Sequence, residues 1–159
     1  MRELIGQRRW LTFSVLVLCG INMGWSASIT GELKQWHKVT LTFDGPQTSE
    51  TADPNPFLDY RLNVTFSHKA SAKSYVVPGY FAADGDAANT SADSGNKWRV
   101  HFAPNARGAW NYRVSFRKGP NVAVTDARGA GRAAGFMDGQ TGSFKIKTTD
   151  KGGRDMRAK

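Results

Sequence analysis

Carboxylates, histidines and flat aromatic rings are the residue types in this chain that could do chemistry. Asp84, Asp86 and Asp93 share one stretch, Asp84-Gly-Asp-Ala-Ala-Asn-Thr-Ser-Ala-Asp-Ser-Gly95. Hydrolysis of a glycosidic bond uses two carboxyl groups about 5–9.5 Å apart, one of them kept protonated by its surroundings. This stretch is polar and hydrated, so nothing in it would raise a carboxyl pKa. Its oxygens suit calcium, but the spacing does not fit an EF-hand loop, and it reads as a plain polar loop. His37, His68 and His101 are scattered, with no HExxH and no close pair. His101 falls on the polar face of a predicted strand and reads as a surface residue rather than a ligand. Gly129-Ala-Gly-Arg-Ala-Ala-Gly135 is one residue too long for the dinucleotide fingerprint and has no βαβ unit around it. No G-x-S-x-G elbow occurs. No catalytic residue, metal ligand or cofactor is assigned.

The aromatic residues offer a different chemistry, because a flat ring packs against the apolar face of a pyranose. Trp98, Trp110, Tyr60 and Tyr112 all fall on apolar faces of predicted strands and belong to a core. Trp36, Tyr75 and Tyr80 are free to be exposed, and these three are the candidates for stacking on a glycan.

Strands must position these groups. Apolar residues alternate with polar ones in Val39–Phe43, Tyr60–Phe66, Trp98–Phe102 and Trp110–Phe116. Lys73–Ala82 is a further strand, broken at Pro78-Gly79, which implies a bulge or an edge. Val122–Val124 and Phe144–Ile146 complete about seven strands. Turn signals separate them at Asp44-Gly45-Pro46, Asp53–Pro56, Asp93–Asn96, Arg107-Gly108, Lys118–Pro120 and Asp138-Gly139. No amphipathic helix of helical length is present. Strands with one apolar and one polar face make antiparallel sheets that bury their apolar faces against each other. The fold predicted is all-β, an immunoglobulin-like antiparallel sandwich, with a closed barrel as the alternative. Asp126–Gly142, rich in Gly, Ala and Arg, reads as a mobile loop.

The chain has 159 residues, room for one domain, and a formal net charge of +9. More than half of that excess lies in residues 1–28 and 151–159, which is not the basic stripe of a nucleic-acid binder. Arg8 and Arg9 precede the apolar run Leu11–Cys19, and Ser26-Ala27-Ser28 supplies a small-x-small cleavage site. That is the pattern of a secretory signal peptide over residues 1–28. The run is about half the ~20 residues needed to cross a bilayer, so no permanent membrane span is expected. Leu16-Val-Leu-Cys19 resembles a lipobox, but Leu18 stands where a small residue is required, so lipidation of Cys19 is the lesser reading. The location expected is secreted or periplasmic. Without Cys19 the exported chain has no cysteine and relies on its core.

Several segments in order resemble a known family. They are Phe43-Asp-Gly-Pro46, Asn55-Pro-Phe-Leu-Asp-Tyr-Arg-Leu62, Val77-Pro-Gly-Tyr-Phe-Ala-Ala-Asp-Gly85 and Lys97-Trp-Arg-Val-His-Phe-Ala-Pro104. Gly108-Ala-Trp-Asn-Tyr112, Gly142-Ser-Phe144, Asp150-Lys151 and Arg154-Asp155 follow. Together they resemble the domain-of-unknown-function 5060 family over about residues 32–155. The resemblance implies an immunoglobulin-like N-terminal module of secreted bacterial proteins, usually followed by a TIM-barrel glycoside-hydrolase-like domain. It therefore implies a non-catalytic β-sandwich over 29–149, then a truncated linker over 150–159 toward a catalytic domain absent from this chain. The partners implied are that barrel and, through it, polysaccharide. The polar loop Tyr80–Asn96 opens with the apolar Tyr80-Phe81-Ala82-Ala83, so Tyr80, Phe81 and Asp84 are the candidate barrel contact. A carbohydrate-binding module acting by aromatic stacking is the alternative function.

Overall fold

The computed structural model describes residues 27–153. Among them nine strands form two antiparallel sheets. In the first sheet β1 (Ser28–Gly31), β2 (Val39–Ser49), β6 (Ser94–Phe102) and β5 (Tyr80–Phe81) lie in the order β1-β2-β6-β5. The second sheet contains β3 (Tyr60–His68), β4 (Ser74–Pro78) and β7 (Gly108–Lys118), in the order β4-β3-β7. The free edge of β7 is shared by β9 (Thr141–Ile146), along Gly108–Arg113, and β8 (Arg132–Ala133), at Arg117–Lys118. A single helical turn, α1 (Ala87–Thr90), lies between β5 and β6. The architecture is the predicted all-β sandwich.

Period-two alternation explains the central strands. Along β3 every second residue from Tyr60 to His68 is buried, and β7 alternates in the same way from Trp110 to Phe116. These inward rings meet across the two sheets. Phe66 stacks flat on Phe102 at 4.2 Å, and Trp98 meets Phe116 edge-on at 4.8 Å. Aromatic pairs of this kind add to the area they bury. Trp110 has no exposed surface, and its indole N–H donates to the Ala106 carbonyl at 3.0 Å.

Three local expectations change. Asp44-Gly45-Pro46 is no turn: β2 runs through it with a register shift between Asp44 and Thr48, which is a β-bulge against β6. A side chain on Gly45 would collide with the Trp98 indole, so the glycine admits the ring. Val122–Val124 is not a strand. Val122 is buried in a turn, its N–H donating to the Gly119 carbonyl, while the Ala123 N–H donates to the Leu58 carbonyl. Asp126–Gly142 is not a free loop either. Met137 is buried in the core, and the Asp138 carboxylate accepts the Phe116 N–H at 2.7 Å. The first strand, β1, begins at Ser28.

The break at Pro78-Gly79 is where the chain changes sheets. β4 pairs with β3, and β5 pairs with β6. A Cβ on Gly79 would overlap the Leu62 side chain and lie 2.7 Å from the Arg99 carbonyl oxygen, so the crossing passes too close for any other residue. Among the described residues no helix is long and apolar enough to cross a membrane. The apolar run Leu11–Cys19 lies outside the described residues.

Candidate functional site around Tyr80

The crossover at Gly79 delivers Tyr80 to the outer face of the first sheet and Phe81 to its inner face. Tyr80 is opposite Arg99 and is 42% exposed, whereas Phe81 is opposite Trp98 and only 6% exposed. Tyr80 is held by its neighbours. With the proton on Nδ1, His101 accepts from the Tyr80 hydroxyl at Nε2 (2.8 Å) and donates to Thr40 Oγ1 (2.9 Å). Desolvation of the imidazole lowers its pKa from the ordinary value, and the positive Lys38 and Arg99 lower it further. All three causes favour the neutral ring that this chain of bonds requires. Arg99 is itself tied by its Nε–H to Thr42 Oγ1 at 3.1 Å.

A second exposed ring stands nearby. Phe57, 48% exposed, sits in the turn Asn55–Asp59 and meets Phe81 edge-on at 6.1 Å. Its N–H donates to Asn55 Oδ1 at 2.9 Å, and Asp59 Oδ2 accepts the Asn55 N–H at 2.9 Å. This Asx-type bonding fixes the turn. Phe57 and Tyr80 both line a recess of about 210 Å³, with Leu62, Pro78, Asn63 and Arg61 in its walls. Tyr80 also borders a second recess of about 260 Å³, with Arg99, Glu50 and Asp86.

The predicted residues are therefore divided rather than assembled. Phe81 belongs to the core, so it is not a surface contact. Asp84 is exposed, and its carboxylate accepts the Thr90 hydroxyl at 2.6 Å and the Asp86 N–H at 2.7 Å. Those bonds lower its pKa, the Thr90 hydroxyl most, which is the reverse of what a general acid needs. Asp86 binds Asn89 instead of joining Asp84 and Asp93 around an ion. Tyr75 is on the second sheet, its ring 6.0 Å from Phe102 and its hydroxyl accepting from Asn105 Nδ2 at 2.7 Å. Trp36 is half-buried, its backbone N–H donating to the Pro104 carbonyl. Trp36 thus bonds to Pro104 and Tyr75 to the next residue, Asn105, while Tyr80 is on the outer face of the other sheet, and the three rings form no common platform.

A cluster that the sequence did not reveal ties down the segment after β9. Lys34 Nζ donates to Glu32 and to Asp150, both at 2.7 Å. His37 Nε2 lies 2.5 Å from Asp150, and its Nδ1 lies 3.4 Å from Glu32. The hydrogen bond from Lys34 is the largest cause lowering both carboxyl pKa values, and Asp150 falls to about 2. Among the described residues this is the only grouping of three metal-ligating side chains. Its geometry is that of an ion cluster, because the two His37 nitrogens face different carboxylates and Lys34 bridges the pair. Backbone bonds reinforce it: Gln35 N–H donates to the Lys147 carbonyl, and Lys147 N–H to the Leu33 carbonyl. The residues come from positions 32–37 and 150, a separation that no local pattern exposes. Phe57 was missed because it sits among turn residues, where strand periodicity says nothing.

Comparison with known proteins adds three findings. No curated protein matches this chain. A solved structure of a candidate glycoside hydrolase from Bacteroides vulgatus ATCC 8482 is similar at 25% identity and a TM-score of 0.46. The match covers 74% of this chain and 16% of that one, so the chain spans only a small part of that protein's length. The family described as Domain of unknown function (DUF5060) matches residues 32–117, from the end of β1 almost to the end of β7. The segments that build the crossover, the Phe57 turn and the Trp98 core all lie inside that match, and the chain belongs to the DUF5060 family.

Proposed function

We propose that this chain is an exported, non-catalytic β-sandwich that serves a glycan-hydrolysing TIM-barrel domain. The observation that carries this reading is the ion cluster at the exit of β9. Glu32 and Asp150 bring carboxylate oxygens within 4.8 Å of one another, yet Lys34 bridges them and holds both ionised. A glycosidase needs one carboxyl protonated near neutral pH, so the cluster supports anchoring rather than hydrolysis. It fixes the departure of the chain at the end of the sandwich that holds Trp36, Asn105 and Tyr75. The β5–α1 loop with Asp84 is at the other end of the β2–β6 ladder, since Val39 pairs with Phe102 and Ser49 with Ser94. The surface proposed to face a barrel is accordingly the exit end, with Trp36 at its centre, rather than Tyr80, Phe81 and Asp84.

The test is a protein carrying the barrel after Lys159. Reversing the clamp with Lys34→Glu is expected to uncouple the thermal transitions of sandwich and barrel, while Asp84→Asn leaves them coupled. Coupled melting that survives Lys34→Glu and Trp36→Ala would overturn the packing arrangement.

A further inference from the structure

We propose that the recess between Phe57 and Tyr80 is a binding site for a single pyranose ring at the end of a saccharide chain. This goes beyond the accessory reading, which requires no ligand. Three observations carry it.

The walls are of the right kind and are already in place. Two exposed aromatic residues, Phe57 and Tyr80, line one depression, in a molecule whose other aromatic residues mostly fill the core. Neither ring must be ordered by a ligand. The Tyr80 hydroxyl is tied through His101 to Thr40, and Phe57 is held by its Asx turn and by Phe81. Rings fixed before binding spare the entropy that ordering them would cost.

The polar groups fit a polyhydroxylated ligand. Asn63 lines the recess, and its side-chain amide makes no hydrogen bond to any described residue. It offers both donors and an acceptor to hydroxyl groups. Arg61 stands beside it with its guanidinium clamped by the carbonyls of Thr125, Ala127 and Arg128. No carboxylate lines the recess. Apolar walls with a few placed polar groups are the composition of a small-molecule site. A purely apolar partner would leave the Asn63 amide without water or a bond, which is unfavourable.

The size selects one ring. At about 210 Å³ the recess falls below the roughly 300–1,000 Å³ of sites that enclose larger ligands. A recess of this size, lined by Pro78 and Gly79 among others, takes the terminal ring of a saccharide rather than a chain lying across it.

The experiment titrates the full chain with glucose, galactose, mannose, xylose and glucuronic acid, and with short oligosaccharides ending in each. Binding is read by calorimetry and by amide chemical shifts. At least one sugar is expected to bind, shifting the amides of Phe57, Asn63 and Tyr80. Phe57→Ala, Tyr80→Ala and Asn63→Ala should each weaken it by roughly tenfold or more, with the far-ultraviolet circular dichroism unchanged. Tyr80→Phe, which keeps the ring and loses its tether to His101, should weaken it less than Tyr80→Ala. Trp36→Ala and Tyr75→Ala should leave it unchanged. No binding by any of these sugars overturns the proposal. So does binding that Trp36→Ala or Tyr75→Ala abolishes and Phe57→Ala does not. Neither readout involves a barrel, so failure here is separate from failure of the accessory reading.

Discussion

Trp110 and Asp150 represent the two kinds of residue that hold this molecule, and each predicts a different response. Trp110 is wholly enclosed, with His68 at 5.0 Å, Phe102 at 5.0 Å and Tyr75 at 6.1 Å. Trp110→Ala removes that burial and leaves a cavity, a loss of ~3–5 kcal/mol. Since domains of this size hold about 5–15 kcal/mol in all, the denaturation midpoint should fall steeply, and an unchanged midpoint would refute the packing. Asp150 responds to pH instead. Its carboxyl lies at about 2, against an ordinary value of 3.8, so the unfolded chain binds the proton more readily. The stabilisation is therefore complete above about pH 4 and is lost as pH falls through about 2. A carboxyl-carbon NMR titration should give that low midpoint, and Lys34→Met should move it up toward 3.8. Periodicity made Trp110 legible as core, because every second residue from Trp110 to Phe116 is apolar. Asp150 was not legible, since its partners lie more than a hundred residues away in the chain.

Elements were legible where the alternation was long. β3 and β7 were readable because several consecutive inward positions repeat at a period of two. β1 and β8, with four and two residues, are too short for any period to show. The break at Pro78-Gly79 was visible as punctuation, but not its consequence, because strand patterning does not say which sheet accepts the next strand. That consequence is testable. Gly79→Ala puts a methyl group against Leu62 and the Arg99 backbone, and the Arg99 carbonyl cannot move without disturbing the β5–β6 pairing. The expected cost is about 1–3 kcal/mol, from overpacking. Loss of amide protection should be concentrated at Tyr80 and Phe81. A variant as stable as the parent would mean that the crossing is looser than described. At Gly45 the sequence pointed to a turn where a bulge occurs, because a glycine that must admit the Trp98 ring looks the same as one that must bend the chain.

For the molecule as a whole, the two sheets leave two distinct regions outside the core. One is the exit end, where charges hold the segment after β9. The other is the crossover, where Phe57 and Tyr80 stand exposed. Trp36, Tyr75 and Tyr80 were legible as surface candidates, whereas the ion cluster and Phe57 were not, because their contacts join separate parts of the chain or sit in a turn. We propose that neither region hydrolyses a glycan. The ion cluster supports it, since Lys34 keeps Glu32 and Asp150 charged, and Asp84 is held charged by Thr90. The most direct measurement is reducing-sugar release by the purified chain from a panel of polysaccharides, beside variants carrying Glu32→Gln, Asp84→Asn or Asp150→Asn. Release no greater than that of a boiled sample is expected, for the parent and every variant alike. Release by the parent that any one of these substitutions abolishes would contradict it.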